Sequence, residues 1–255
     1  MSKTEEISSK VPAITLGFWV IKIAATTLGE TGGDTVSMTM NLGYLVGTAI
    51  FLSLLAALVI AQIGARRFHP FLYWATIIAS TTCGTTLADF ADRSLGIGYA
   101  GGSTVLFACV LASLMIWLKS EGTVSVARID TPRVEIFYWV TITFSQTLGT
   151  ALGDWAADSG LGYGGGALVF LAAIALVAAA YFATNISRVF LFWCAFILTR
   201  PLGATVGDFL DKPLDQGGLA LSRPLASAVL AVFIVICILV IPQRPGEHPS
   251  GEGAR

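Results

Sequence analysis

Charge is scarce in this chain: 12% of its 255 residues are Asp, Glu, Lys or Arg, against about 25% in ordinary globular domains. A water-soluble surface cannot be assembled from so little. Basic clusters are missing as well. The longest is Arg66–Arg67, and a net charge of −1 gives nucleic acid no electrostatic footprint. Cys83, Cys109, Cys194 and Cys237 show no CxxC spacing, so they read as small apolar residues rather than as a disulfide framework or a zinc site. With no Ser/His/Asp set, HExxH or GxSxG element, no enzyme is expected. Residues 1–10 lack the basic, apolar and small-residue regions of a signal peptide, so a mature N-terminus is expected.

What is abundant is apolar length. Hydrophobic residues make up 55% of the chain, and mean hydropathy is +0.77. Leu42–Ile63, Gly98–Leu118, Gly162–Ala183 and Leu219–Ile241 each reach or exceed the ~18–20 residues needed to cross a bilayer.

Self-similarity organises the rest. Trp19–Gly29–Asp34, Trp74–Gly84–Asp89, Trp139–Gly149–Asp154 and Trp193–Gly203–Asp208 align without a gap as W-x9-G-x4-D. Each aspartate is followed by a polar or glycine-rich turn (Asn41–Tyr44, Leu95–Tyr99, Gly160–Tyr163, Gly217–Leu219) and then by an apolar run. One repeat is therefore a helical hairpin, and four hairpins predict an all-α integral membrane protein of eight transmembrane helices. Since each unit crosses twice, the repeats are parallel rather than inverted. The boundaries read 1–10 for an N-terminal segment, 11–65, 66–119, 134–187 and 188–243 for the repeats, 120–133 for a linker, and 244–255 for a Gly/Pro/Glu-rich tail expected to be unstructured.

This pattern resembles a family of uncharacterised bacterial membrane-anchored proteins built from four tandem repeats, each with two transmembrane segments and a characteristic tryptophan. The resemblance runs from about Val11 to Gln243 and is carried by stretches such as TLGETGGDTVSMTMNLGYLVGTAIF and FILTRPLGATVGDFLDKPL. It implies a fold but no activity or substrate.

Lys3, Lys10, Arg66, Arg67, Lys119, Arg128, Arg133, Arg188, Arg244 and Arg255 all fall on one side of the expected topology; Arg93, Lys212 and Arg223 fall on the other. The positive-inside rule then places both termini in the cytoplasm of an inner-membrane protein. Aromatic residues opening the odd-numbered helices, among them Phe71, Tyr73, Trp74, Tyr138 and Trp139, are expected to form an interfacial belt. The aspartates then lie toward the outer face.

Steps of four residues back from each aspartate trace one helical face. The first helix carries Asp34, Glu30, Thr26 and Lys22; the third, Asp89, Thr85 and Thr81; the fifth, Asp154, Thr150 and Gln146; the seventh, Asp208, Ala204 and Arg200. Small residues four apart, such as Gly29/Gly33 and Gly149/Gly153 on odd helices or Gly43/Gly47 and Gly218/Ser222 on even ones, predict close helix packing. That packing gathers the polar stripes in a pseudo-symmetric bundle with the odd helices central.

A charge near the bilayer midplane costs at least ~2.5–3.5 kcal/mol on insertion scales, so Lys22 and Arg200 are expected to face inward and to pair, with Glu30 as the nearest candidate partner. Asp34, Asp89, Asp154 and Asp208 form an all-oxygen set suited to a hard or borderline divalent cation. Thr26, Thr81, Thr85, Gln146 and Thr150 would line the path. His69 and His248 fall on the cytoplasmic side, so no heme, copper or other cofactor is expected.

The resulting expectation is a proton-coupled secondary transporter or exporter of a small divalent cation such as manganese, with the four aspartates and Glu30 as binding groups and Lys22 and Arg200 as counter-charges. A carrier of a small anionic or zwitterionic metabolite, or a non-catalytic scaffold or sensor with aspartates facing water, are the alternatives. The partners implied are the lipid bilayer and a small ion or molecule; the sequence does not fix an oligomeric state.

Overall fold

The computed structural model describes residues 9–246; the expectations for Lys3, His248, Arg255 and the rest of 247–255 lie outside the described residues. Among the described residues the fold is all-helical. It comprises α1 (Leu16–Asp34), α2 (Gly43–Gly64), α3 (Pro70–Asp89), α4 (Tyr99–Glu121), α5 (Pro132–Ala156), α6 (Gly162–Ala183), α7 (Arg188–Asp211) and α8 (Arg223–Val240). Local chemistry sets the starts: Thr15, Thr131 and Ser187 accept backbone N–H groups as N-caps, and Pro70 and Pro132 open their helices where a missing N–H is harmless.

Five helical stretches are long and apolar enough to cross a membrane: α2, α4, the continuous run from α5 through α6, α7, and α8. The chain thus has the character of a membrane protein. By the same measure α1 and α3 do not qualify alone, because Lys22, Glu30, Asp34 and a series of threonines dilute their apolar content. Those polar groups are turned inward, whereas α2, α4, α6 and α8 expose residues such as Leu45, Val105, Leu168 and Val229. An apolar outside around a polar inside inverts the pattern of a soluble domain.

The odd helices form a closed ring in which α1 packs on α3 and α7, and α5 packs on the same two. Each even helix leans on the odd helix of the next repeat: α2 on α3, α4 on α5, α6 on α7, and α8 back on α1. The glycine five residues before each aspartate explains the close ring contacts. A Cβ on Gly29, Gly84, Gly149 or Gly203 would meet Thr81, Gln146, Arg200 or Thr26 respectively, the residue eight positions before the aspartate of the neighbouring repeat.

Even-helix glycines divide their labour differently from the packing pairs expected. Gly43, Gly98 and Gly162 have positive φ and make the turns into α2, α4 and α6, where a side chain would be strained. Gly47 and Gly166 sit against Thr86 and Thr205, one helix on. Gly218 lies ahead of α8, seated on the backbone of Lys212.

The aromatic belt is also corrected. Tyr73, Trp74, Tyr138, Trp139 and Trp193 are buried, not lipid-facing, and with Trp117 they make an interlocked cluster at the ends of the odd helices remote from the aspartates. Their rings meet edge-on across the ring axis, which recovers more energy than a lone ring at an interface. Exposed Phe71 and Phe190 keep the outward position.

Beneath this cluster residues 11–13 and 244–246 are tied together. Ala13 N–H donates to Arg244 O and Gly246 N–H to Val11 O, so residues 244–246 of the expected tail are ordered by pairing. Lys10 Nζ lies 2.6 Å from Glu135 Oε1 and caps the carbonyls at the end of α2.

Candidate functional site

Four helices at regular offsets stack their side chains in layers about 6 Å apart, four residues at 1.5 Å each. From the aromatic floor upward, the layers are Phe18/Tyr73/Tyr138/Phe192, then Lys22/Ile77/Ile142/Phe196, then Thr26/Thr81/Gln146/Arg200, then Glu30/Thr85/Thr150/Ala204, and last Asp34/Asp89/Asp154/Asp208. All twenty are buried. The floor is closed by a hydroxyl–hydroxyl contact of 2.6 Å between Tyr73 and Tyr138.

The top layer is a ring of aspartates divided into two bridged pairs. Arg93 Nε lies 2.8 Å from Asp89 Oδ1, and its Nη2 3.6 Å from Asp154 Oδ2. Lys212 Nζ lies 2.9 Å from Asp208 Oδ1 and 2.6 Å from Asp34 Oδ2. Burial alone would lower the Lys212 pKa, but the carboxylates of Asp208, Asp34 and Asp211 outweigh it and raise the value above the ordinary range. Lys212 is placed by the loop that follows: its carbonyl accepts from Ala220 N–H, and Gly218 packs on its backbone. Arg223, 3.1 Å from Asp211 Oδ2, fastens the start of α8 to the same corner.

Helix geometry explains how the aspartates reach the axis. Three of the four odd helices do not stop there but continue through one π-helical turn, at Thr35–Thr39, Phe90–Ser94 and Ala157–Leu161. The aspartates are therefore not bare C-terminal caps facing water, and in repeat 2 the extra turn folds Arg93 back over Asp89. Such π turns are frequent at functional sites.

Arg200 fills the middle of the column. Its Nη2 lies 2.9 Å from Glu30 Oε2, 2.6 Å from Thr85 Oγ1 and 2.5 Å from Thr150 Oγ1, which joins four repeats through one guanidinium. Thr26 is turned to backbone, donating to Ile23 O at 2.8 Å. Lys22 departs from expectation: no carboxylate lies within ion-pair distance of it among the described residues, its Nζ has no hydrogen-bond partner, and it sits 4.2 Å over the Phe196 ring. The pairing expected for both cations is made by Arg200 alone.

Glu30, Asp34 and Asp208 each offer a carboxylate oxygen, all within 4.8 Å of one another, the geometry a metal ion could use. The fourfold aspartate set envisaged from sequence is instead two pairs with resident cations between them. Sequence reasoning missed Arg93 and Lys212 as members of this site. Their signal was present: repeats 2 and 4 read D-x3-R and D-x3-K, where repeats 1 and 3 have Met38 and Asp158. That alternation supplies one cation to each pair of neighbouring aspartates.

An all-helical fold of four hairpins with an apolar exterior and a buried ionic column defines a repeat-built, membrane-type protein. The model of a repeat of unknown function, DUF347, matches residues 17–68, 72–123, 137–187 and 191–241, and the chain belongs to that four-repeat family. No curated protein and no solved structure matches the chain.

Proposed function

We propose that the protein is a multi-pass inner-membrane transporter with eight spans and both termini in the cytoplasm, moving a small divalent cation such as manganese in exchange for protons. In this reading α1 and α3 also span, shielded from lipid by their neighbours. The observation that carries the proposal is the convergence of Glu30, Asp34 and Asp208 at metal-ligand separation, in an oxygen-rich site of the kind hard divalent cations prefer.

Lys212 already holds two of those carboxylates. A divalent cation would enter by displacing its ammonium, and the return of Lys212 would expel the cation, so the tethered amine sets an exchange rather than a permanent metal site. Arg93 keeps Asp89 and Asp154 neutralised meanwhile. In this reading the buried aromatic floor closes the cytoplasmic end, and Arg93 and Lys212 close the outer one, as an occluded state of an alternating-access carrier would.

The test is uptake of radiolabelled manganese by proteoliposomes. Asp34→Asn and Asp208→Asn are expected to lower the rate at least tenfold while the protein remains monodisperse in detergent. Asp215→Asn, at an exposed loop carboxylate, is expected to leave it unchanged. Wild-type rates in both ring variants would refute the proposal.

A further inference from the structure

The two layers below Glu30 hold an excess of unpartnered hydrogen-bond donors over unpartnered acceptors, of which Gln146 Oε1 is one. Lys22 Nζ, Arg200 Nε and Nη1, Gln146 Nε2 and Thr81 Oγ1 are buried and have no partner, and their residues are 0% exposed. Arg200 is a permanent cation, and a protonated Lys22 one layer away would add a second positive charge that Arg200 repels. The one carboxylate nearby, Glu30, is engaged by Arg200 Nη2 from the layer above. Buried donors left unpaired are destabilising, more so when charged, and an unpaired cation at this depth costs more than either.

Proton loss from Lys22 would remove its charge and free one lone pair on the amine, yet that lone pair and Gln146 Oε1 together offer fewer acceptor sites than Arg200 Nε and Nη1, the Gln146 amide and the amine's own hydrogens call for. An anion between the Lys22 and Arg200 layers would supply acceptor capacity and offset a positive charge together. The layers that carry Lys22 and Arg200 are one step of the stack apart, about 6 Å in rise. The lower boundary of that step is the apolar Phe196, Ile77 and Ile142, which gives no hydrogen bond to the far side of a large oxyanion. Compactness and charge therefore favour a halide-sized monovalent ion.

We infer that the middle of the column, between Lys22 and Arg200 and beside Gln146 and Thr81, is a binding site for a small monovalent anion of the halide class. The site is distinct from the aspartate ring above it and does not depend on what the ring carries. Its occupant neutralises Lys22 and leaves the column with one more negative charge beneath the ring.

The experiment measures binding of radiolabelled chloride to the purified full-length protein in detergent, with gluconate maintaining ionic strength, alongside thermal melting in bromide and gluconate. Wild type is expected to show one saturable class of sites and a melting temperature that rises with bromide to a plateau, as linkage requires. Lys22→Met replaces the amine with an apolar chain of similar length and is expected to fold, to abolish saturable binding, and to melt at the same temperature in both salts. Gln146→Leu, which changes no charge, is expected to weaken binding about tenfold. Asp34→Asn, in the ring, is expected to keep it. Absence of saturable chloride binding in wild type would overturn the inference, and so would undiminished binding in Lys22→Met.

Discussion

A guanidinium sealed between helices is tolerable only while its partners stay in place, and Arg200 has Glu30, Thr85 and Thr150 from three other repeats on one nitrogen. Removing one member of a buried ion pair strands the other charge, at about 3–5 kcal/mol. Arg200→Met is therefore expected to lower thermal stability sharply. Adding Glu30→Gln to Arg200→Met is expected to restore most of the loss, because the stranded carboxylate is then gone; a double-mutant cycle by thermal melting measures the coupling. The aspartate stripe and the inward course of Lys22 and Arg200 were legible from four-residue spacing. The identity of each partner was not, because spacing along one helix fixes a face and a height but not which neighbouring helix supplies the contact. Hence Lys22 looked paired and is not, and Arg93 and Lys212 looked like loop charges although they belong to the ring.

Between helices, the decisive positions are glycines, and their neighbours divide them into two kinds. A Cβ on Gly84 would lie 2.9 Å from the backbone of Gln146 and Thr147, which cannot rotate away. Gly84→Ala is expected to cost about 1–3 kcal/mol, in line with overpacking elsewhere, read as a fall in melting temperature. Gly32, on the same ring of helices, has nothing within 4 Å of an added Cβ. Gly32→Ala is expected to raise stability by about 0.5–1 kcal/mol through the helix preference for alanine. Sequence spacing identified Gly84 and its equivalents as contact points. It did not distinguish them from Gly43, Gly98 and Gly162, since a glycine needed for its backbone angle and one needed for its missing side chain are written alike. The π turns after three of the aspartates were hidden for a related reason: one extra residue per turn leaves no compositional mark.

At the scale of the whole molecule, the proposed orientation puts the aspartate ring outside and the tied residues 11–13 and 244–246 inside. Exposed Ser94 and Asn185 lie in connections at opposite ends of the bundle. A membrane-impermeant thiol reagent applied to intact cells is expected to label Ser94→Cys but to reach Asn185→Cys only after permeabilisation; the opposite pattern would reverse the topology. Repeat number and hairpin form were plain in the sequence, since W-x9-G-x4-D recurs at fixed spacing. The offset by which each even helix serves the following repeat was not, because hydropathy treats a hairpin's two helices as natural neighbours. That offset has a consequence for how the protein is made. The helix that completes α1 is α8, which follows all the others in the chain, so the first hairpin waits with one flank bare until the fourth repeat has been made. A ribosome that stops before the fourth repeat leaves the charged α1 without the helix that covers it here.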